Sequence, residues 1–229
     1  MAELFDQLQL GLAPSYRLDR ELGGGMSRVF VAEDIRLGRT VVIKVLPPEL
    51  AGGVNVERFE REIRLSARLQ HPHIVPLLAA GSVGDLPYYV MPYIEGESLR
   101  ARLARDGELP LTDAIRLLRE VIDALDYAHR QGVVHRDIKP DNILLTGPHA
   151  VVPDFGVAKA LAEATGIDLK VTSTGMAIGT PAYMAPEQVA GEPNVDARAD
   201  IYATGSLAFE MITGVQPFRG ATTRCSLPT

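Results

Sequence analysis

Three side chains of different chemistry stand close together in the run Val133-Val134-His135-Arg136-Asp137-Ile138-Lys139-Pro140-Asp141-Asn142-Ile143-Leu144-Leu145: the carboxylate of Asp137, the ammonium of Lys139 and the carboxamide of Asn142. A carboxylate and a carboxamide at this spacing could take the proton of a hydroxyl and hold a magnesium ion against one phosphoryl group. Pro140-Asp141 would equally suit a plain polar turn. Further along, Asp154-Phe155-Gly156 supplies a second carboxylate beside a glycine that lets the backbone turn, although a strand ending in Asp-x-Gly is common. Val41-Val42-Ile43-Lys44 sets an ammonium in an apolar, β-branched run, where an unpaired charge would be costly. The chain has only four lysines, Lys44, Lys139, Lys159 and Lys170, and arginine carries the rest of the positive charge. A lysine kept in such a chain points to a position that wants a compact ammonium.

The elements that must hold these groups can be read from pattern. Residues 16–22, 28–33 and 40–46 read as strands, the first two joined by Gly23-Gly24-Gly25. Residues 54–69 read as an amphipathic helix with Val56, Phe59, Ile63 and Leu65 as its apolar members, stopped by His71-Pro72. Strands around 75–79 and 88–93 complete a small lobe that closes near 94–96. The remainder is mainly helical. Residues 111–131 carry an apolar stripe of Leu111, Ile115, Leu118, Ile122 and Leu125, with Thr112 as N-cap and Gly132 just past the end. Residues 153–187 form a long irregular stretch rich in Thr, Gly and Pro, as functional loops are. Residues 200–213 are apolar on nearly every face and are expected to be buried all round.

Taken together, these motifs resemble the Hanks-type protein kinases, in their bacterial serine/threonine form, over residues 16–217. The resemblance implies a two-lobed α+β kinase fold: a five-stranded antiparallel small lobe with one helix, then a mainly helical large lobe. The expected division is an N-terminal extension at 1–15, a small lobe at 16–94 and a large lobe at 95–229 that lacks the family's last helices. It further implies transfer of the γ-phosphoryl group of ATP to Ser/Thr hydroxyls of protein substrates. Asp137 would be the base, Lys139 would meet the γ-phosphate, and Asn142 and Asp154 would bind Mg2+. Lys44, held by Glu62, would pair the α- and β-phosphates. Leu22, Gly23, Gly24, Gly25, Met26, Ser27 and Val29 would form the loop over the phosphates, and Val42, Met91 and Leu144 would line the nucleotide site. Thr180, in Gly179-Thr180-Pro181-Ala182-Tyr183-Met184-Ala185-Pro186-Glu187, would contact Asp137 and Lys139. Asp200 would bond the catalytic-loop backbone. Arg136 would pair with an activation loop phosphorylated at Thr172 or Thr174, a modification a kinase dimer could perform in trans.

Three departures support a rival reading as a pseudokinase or fragment that binds nucleotide or a partner without turnover. The glycine loop is one residue short, with Ser27 at the third glycine, although Val29 still lies fifteen residues before Lys44. Pro153 removes a backbone donor before Asp154. The chain also ends soon after Gly214-Val215-Gln216-Pro217-Phe218. A small-molecule kinase, the other rival, has no use for the Ala185-Pro186-Glu187 peptide platform. A zinc site at His71-Pro72-His73 lacks further ligands nearby in sequence.

Composition narrows the classes. Hydrophobic residues make up 46% and charged residues 23%, as in a globular protein, and the net charge of −6 does not suggest a nucleic-acid partner. Cys225 is the only cysteine, which excludes an intrachain disulfide framework. No basic n-region or membrane-length apolar run is present, so a cytoplasmic location is expected, with the parent protein free to carry an anchor elsewhere.

Overall fold

The computed structural model describes residues 2–24, 27–46, 59, 63–157, 181–192 and 194–218. Strands β1 (Tyr16–Gly24), β2 (Arg28–Asp34), β3 (Arg39–Val45), β4 (Ala79–Val83) and β5 (Leu86–Pro92) form one antiparallel sheet in the order β1-β2-β3-β5-β4. Side chains alternate between its faces. On β3, Val41, Ile43 and Val45 enter one apolar cluster with Phe30, Ala32 and Val90. Val42 enters another, with Met91, Phe59 and Ile63, so the alternation turns Lys44 toward that second face.

Helix α1 (Ala2–Leu12) covers the first face. Its Leu8 and Leu12 are buried there, and the Gln9 side chain accepts from Leu18 N at 2.8 Å, so its amide partners the backbone of edge strand β1. The helix thus has its apolar side, Leu4, Phe5, Leu8 and Leu12, in or against the sheet's own core.

The fourth strand runs over Ala79–Val83, not 75–79. Residues before it find other partners: Ile74 bridges Val152, and Val75 N donates to Val152 O at 3.0 Å. The chain at 75–77 therefore serves as a link, Leu78 N already donates to Val90 O at 2.8 Å, and strand pairing runs from Ala79 to the β4–β5 turn at Gly84, at φ 58. Of the helix expected at 54–69, Phe59 and residues 63–69 are described; Phe59 and 63–66 are helical, and the chain leaves the helix in a turn at 67–68, earlier than expected. Phe59 and Ile63 are buried as expected, while Leu65 is exposed, so it is not a member of the apolar face. Val56 lies outside the described residues.

Beyond the sheet, β6 (Glu97–Ser98), β7 (Leu144–Thr146) and β8 (His149–Val151) form a small sheet, and α2 (Leu99–Asp106) starts on the Ser98 hydroxyl, which accepts from Ala101 N. Gly96 lies so near the Leu145 carbonyl that a Cβ there would sit 1.8 Å from its oxygen. Helix α3 (Leu111–Arg130) has Pro110, not Thr112, at its N-cap, and Gly132 past its end has φ 75. Its buried face is Ala114, Leu117, Val121, Ala124, Leu125 and Ala128, whereas Leu111, Ile115 and Ile122 are exposed. Of the expected stripe, Leu125 is in the core and Leu118 packs against it, while its other three members face out. Alanines score little in a count of large apolar residues, yet they let a neighbouring backbone approach closely.

That neighbour is α5 (Ala197–Thr213), which follows the short α4 (Pro186–Val189) and contacts α3. Helix α5 starts three residues before 200, with Asp196 as its N-cap. Burial all round is not observed: Ala203, Leu207 and Met211 are buried, but Ile201, Phe209 and Ile212 are exposed. The main core joins α2, α3 and α5 to Ile138, Ile143 and Phe155.

Candidate active site

The loop after α3 is shaped by a single buried carboxylate. Asp200 on α5 accepts from His135 N at 2.8 Å, from Arg136 N at 2.7 Å and meets His129 Nε2 at 2.7 Å. These bonds hold Arg136 at φ 69, a conformation that costs a non-glycine residue about 1–3 kcal/mol elsewhere. The loop then folds back on itself. Asp137 N donates to His135 Nδ1 at 3.2 Å, which leaves His135 Nε2 to carry the proton and donate to Pro153 O at 2.9 Å. Lys139 Nζ donates to Asp137 Oδ2 at 2.8 Å, and Asn142 Nδ2 donates to both Asp137 O and Oδ2 at 2.8 Å. A 3-10 turn at Pro140–Asn142 brings the carboxamide back to its partner. Asp137, Lys139 and Asn142 thus form one hydrogen-bonded set, and Asp137 Oδ1 accepts no bond among the described residues.

The second group is centred on Asp154. Its Oδ2 accepts from Lys44 Nζ, and its Oδ1 accepts from the Tyr89 hydroxyl at 2.9 Å. Burial alone would raise the Asp154 pKa, but the Lys44 charge and the bonds from Lys44 and Tyr89 bring it below the ordinary value. Burial, then the Asp154 charge, pushes the Tyr89 phenol well above its usual range, so it stays a donor. The two groups are joined through His135, whose ring meets Phe155 edge-on with centroids 4.8 Å apart. Gly156 has φ 71, and a Cβ there would lie 2.2 Å from Ser66 Oγ, a buried hydroxyl without a partner among the described residues. Pro153 does not cost a ladder bond in the described structure. The pairing ends at Val152, whose N–H donates to His73 O at 2.9 Å, and the Pro153 carbonyl is taken by His135.

Val29, Val42, Met91 and Leu144, which sequence reading placed around a nucleotide, lie in or against one apolar cluster. Val42 and Met91 are direct strand partners, as are Val29 and Lys44, and Lys44 and Tyr89. Gly23 has φ 91 and Gly24 pairs with Arg28, while Leu22 is exposed and Ser27 partly so. A two-pronged Arg28–Glu21 ion pair, at 2.6 and 2.7 Å, braces this end of the hairpin. Gly25, Met26, Glu62, Thr172, Thr174 and Thr180 lie outside the described residues, as does the tip of the short glycine loop. His73 Nδ1 bonds to Ala150 O at 2.8 Å, and no group able to hold a metal through three His, Cys, Asp or Glu side chains occurs among the described residues.

Two features escaped the sequence. Tyr89 is one. The other is a network next to the catalytic loop: Arg100 donates to Glu210 Oε1 at 2.7 Å, to the Tyr183 hydroxyl at 2.6 Å and to Asp141 Oδ2 at 3.3 Å. The Tyr183 hydroxyl in turn donates to Glu210, and burial followed by that bond pushes its pKa up to about 12. A charged Glu210 amid the apolar Leu207, Phe209, Met211 and Ile212 was the available signal. Glu210 is buried and Arg100 is about one-third exposed, so water can take over part of the lost pairing. Arg100→Ala is therefore expected to destabilise the chain by about 1–3 kcal/mol, read by urea denaturation. A loss no larger than that of Arg105→Ala, an exposed ion-paired control, would refute the structural weight given to the network.

A sheet of this order, with a lysine bonded to a half-buried Asp-Phe-Gly carboxylate and a separate hydrogen-bonded Asp–Lys–Asn loop, belongs to one class. The family model for the protein kinase domain matches residues 16–226, and the chain belongs to that family. It is 44% identical over 216 residues to the serine/threonine-protein kinase PknB of Mycobacterium leprae, covering 91% of this chain and 34% of that protein. It is also 44% identical over 209 residues to the probable serine/threonine-protein kinase pknA2 of Bifidobacterium longum, covering 89% of this chain and 27% of that protein. The chain thus spans about a third or less of these relatives' length. The crystal structure of Rad53 1-466 in complex with AMP-PNP superposes with a TM-score of 0.75 at 27% identity, covering 96% of this chain and 54% of that one. No helix among the described residues is long and apolar enough to cross a membrane.

Proposed function

We propose that this chain is the catalytic region of a bacterial-type protein kinase that transfers the γ-phosphoryl group of ATP to Ser/Thr hydroxyls of protein substrates. The reading divides it into an N-terminal extension at 1–15, a small lobe at 16–94 and a large lobe from 95. The observation that carries it is the state of Asp137. Oδ2 is fixed by Lys139 and Asn142, and Oδ1 is left open among the described residues to accept the proton of an acceptor hydroxyl. Lys139, beside it, can shift from the carboxylate to the transferred phosphoryl group. Lys44, turned toward the same face as Val42 and Met91, meets the nucleotide's phosphates while the apolar cluster holds the base.

Two oxygen ligands and no acidic cage suit Mg2+, which keeps waters and shares itself with phosphates. Asn142 uses its NH2 on Asp137, so its carbonyl oxygen is the end available to a hard cation, and Asp154 supplies the carboxylate. Bound there, the ion would neutralise charge on the β- and γ-phosphates.

Incubating the chain with Mg-ATP and a generic basic protein, followed by phosphothreonine detection and mass spectrometry, tests the reading. Transfer to Ser/Thr is expected, with self-modification at Thr172 or Thr174, in trans if two copies meet. Nucleotide binding without any transfer would replace this reading with a non-catalytic one.

A further inference from the structure

Asp154 owes its orientation to a side chain from the sheet as much as to Lys44. Lys44 on β3 and Tyr89 on β5 are directly opposed in the strand register, and each takes one oxygen of the same carboxylate. Opposed residues on adjacent strands project to the same face, so the pair forms a two-armed clamp built into one rigid sheet. A carboxylate held at one oxygen can still rotate about its Cβ–Cγ bond, whereas one held at both cannot. Tyr89 is 2% exposed and its ring is packed among Val42, Phe59, Ile63 and Met91, so the hydroxyl has no freedom to point elsewhere.

We propose that Tyr89 is a positioning residue for Asp154: its hydroxyl fixes the plane of the carboxylate so that an oxygen lone pair is aimed at the divalent cation that accompanies the nucleotide. The inference rests on the reading of Asp154 as the cation-holding carboxylate. Each carboxylate oxygen has two lone pairs, and Oδ1 can accept from Tyr89 with one while offering the other to a metal. Donors behind a metal ligand orient it, and their removal typically lowers metal affinity about 10- to 100-fold. A phenylalanine at 89 keeps the packed ring and removes only the donor, so Tyr89→Phe isolates the hydrogen bond.

The test has two arms. In the first, the thermal shift given by a fixed ATP concentration is titrated with Mg2+, and repeated in EDTA. Tyr89→Phe should move the Mg2+ midpoint up about 10-fold or more, with the metal-free response to ATP unchanged. An equal midpoint, or equal weakening with and without metal, overturns the proposal, because a merely structural tyrosine would lower both responses alike. In the second arm, unliganded wild type, Tyr89→Phe, Asp154→Ala and the double variant are compared by urea denaturation. Tyr89→Phe should lower the midpoint in the wild-type background and leave it nearly unchanged in the Asp154→Ala background, since the hydroxyl acts through that carboxylate. The same loss in both backgrounds overturns it. If wild type shows no nucleotide response in the first arm, the functional reading fails by itself, and the proposal is overturned in its metal-directed part while the second arm still decides the clamp.

Discussion

Asp137→Asn is expected to lower phosphoryl transfer about 10²- to 10⁴-fold while leaving the affinity for Mg-ATP close to that of wild type. The substitution keeps the shape of the side chain. Its carbonyl oxygen can take the place of Oδ2 and accept from Lys139 and Asn142, both of which are donors. The NH2 then stands where Oδ1 stood and presents hydrogens, not lone pairs, to the acceptor hydroxyl. The hydroxyl proton has nowhere to go, and kcat falls. In the proposed reading the nucleotide is met by other residues: Lys44, the apolar cluster of Val29, Val42, Met91 and Leu144, and Asp154. A phosphothreonine time course gives the rate, and the ATP-dependent thermal shift gives the affinity. Turnover within a few-fold of wild type would remove Asp137 from the role of base. Lost nucleotide binding would mean that the loop had collapsed and that the residue's part is structural.

The groups proposed to do chemistry were legible because their spacing is local. Asp137, Lys139 and Asn142 bond to one another within a single loop, so a sequence window contains the whole set. The same holds for the bend at Asp154-Phe155-Gly156. What sequence could not supply is anything decided by strand register or by helix packing. Tyr89 reaches Asp154 only because β5 pairs with β3 in the register Lys44–Tyr89, and Arg100 meets Glu210 across 110 positions of sequence. The packed side of α3 was only partly legible because Ala114, Ala124 and Ala128 are buried in the core beside Leu125 while the larger Leu111, Ile115 and Ile122 remain outside. The fourth strand was placed too early because a residue bonded to Val152, as Val75 is, looks in one dimension like one bonded to a sheet neighbour.

Asp200 was legible as a partner of the catalytic-loop backbone, and its environment makes Asp200→Ala the most destabilising single change expected here. The carboxylate has no solvent exposure and holds the N–H groups of His135 and Arg136, with His129 against the same oxygen as His135. Removing it leaves two backbone donors in a buried site. Each costs about 1–3 kcal/mol when left without a partner, so about 2–6 kcal/mol follows for the pair, before any cavity left by the lost carboxylate. A domain's whole stability is about 5–15 kcal/mol. Asp200→Asn should fall between wild type and Asp200→Ala, because one oxygen still accepts while the new NH2 meets an N–H. Urea denaturation measures the total, and amide hydrogen exchange at His135 and Arg136 shows whether the loss begins in this loop. With those two bonds gone, the Arg136 N–H loses its acceptor while its carbonyl keeps the bond from Gln188 Nε2, and relaxation of its positive φ would carry Asp137 away from Lys139 and Asn142. Activity should therefore fall even at temperatures where the chain remains folded. A loss below about 1 kcal/mol, with both amides still protected, would mean that water replaces the carboxylate and that the loop's shape is set by its own internal bonds.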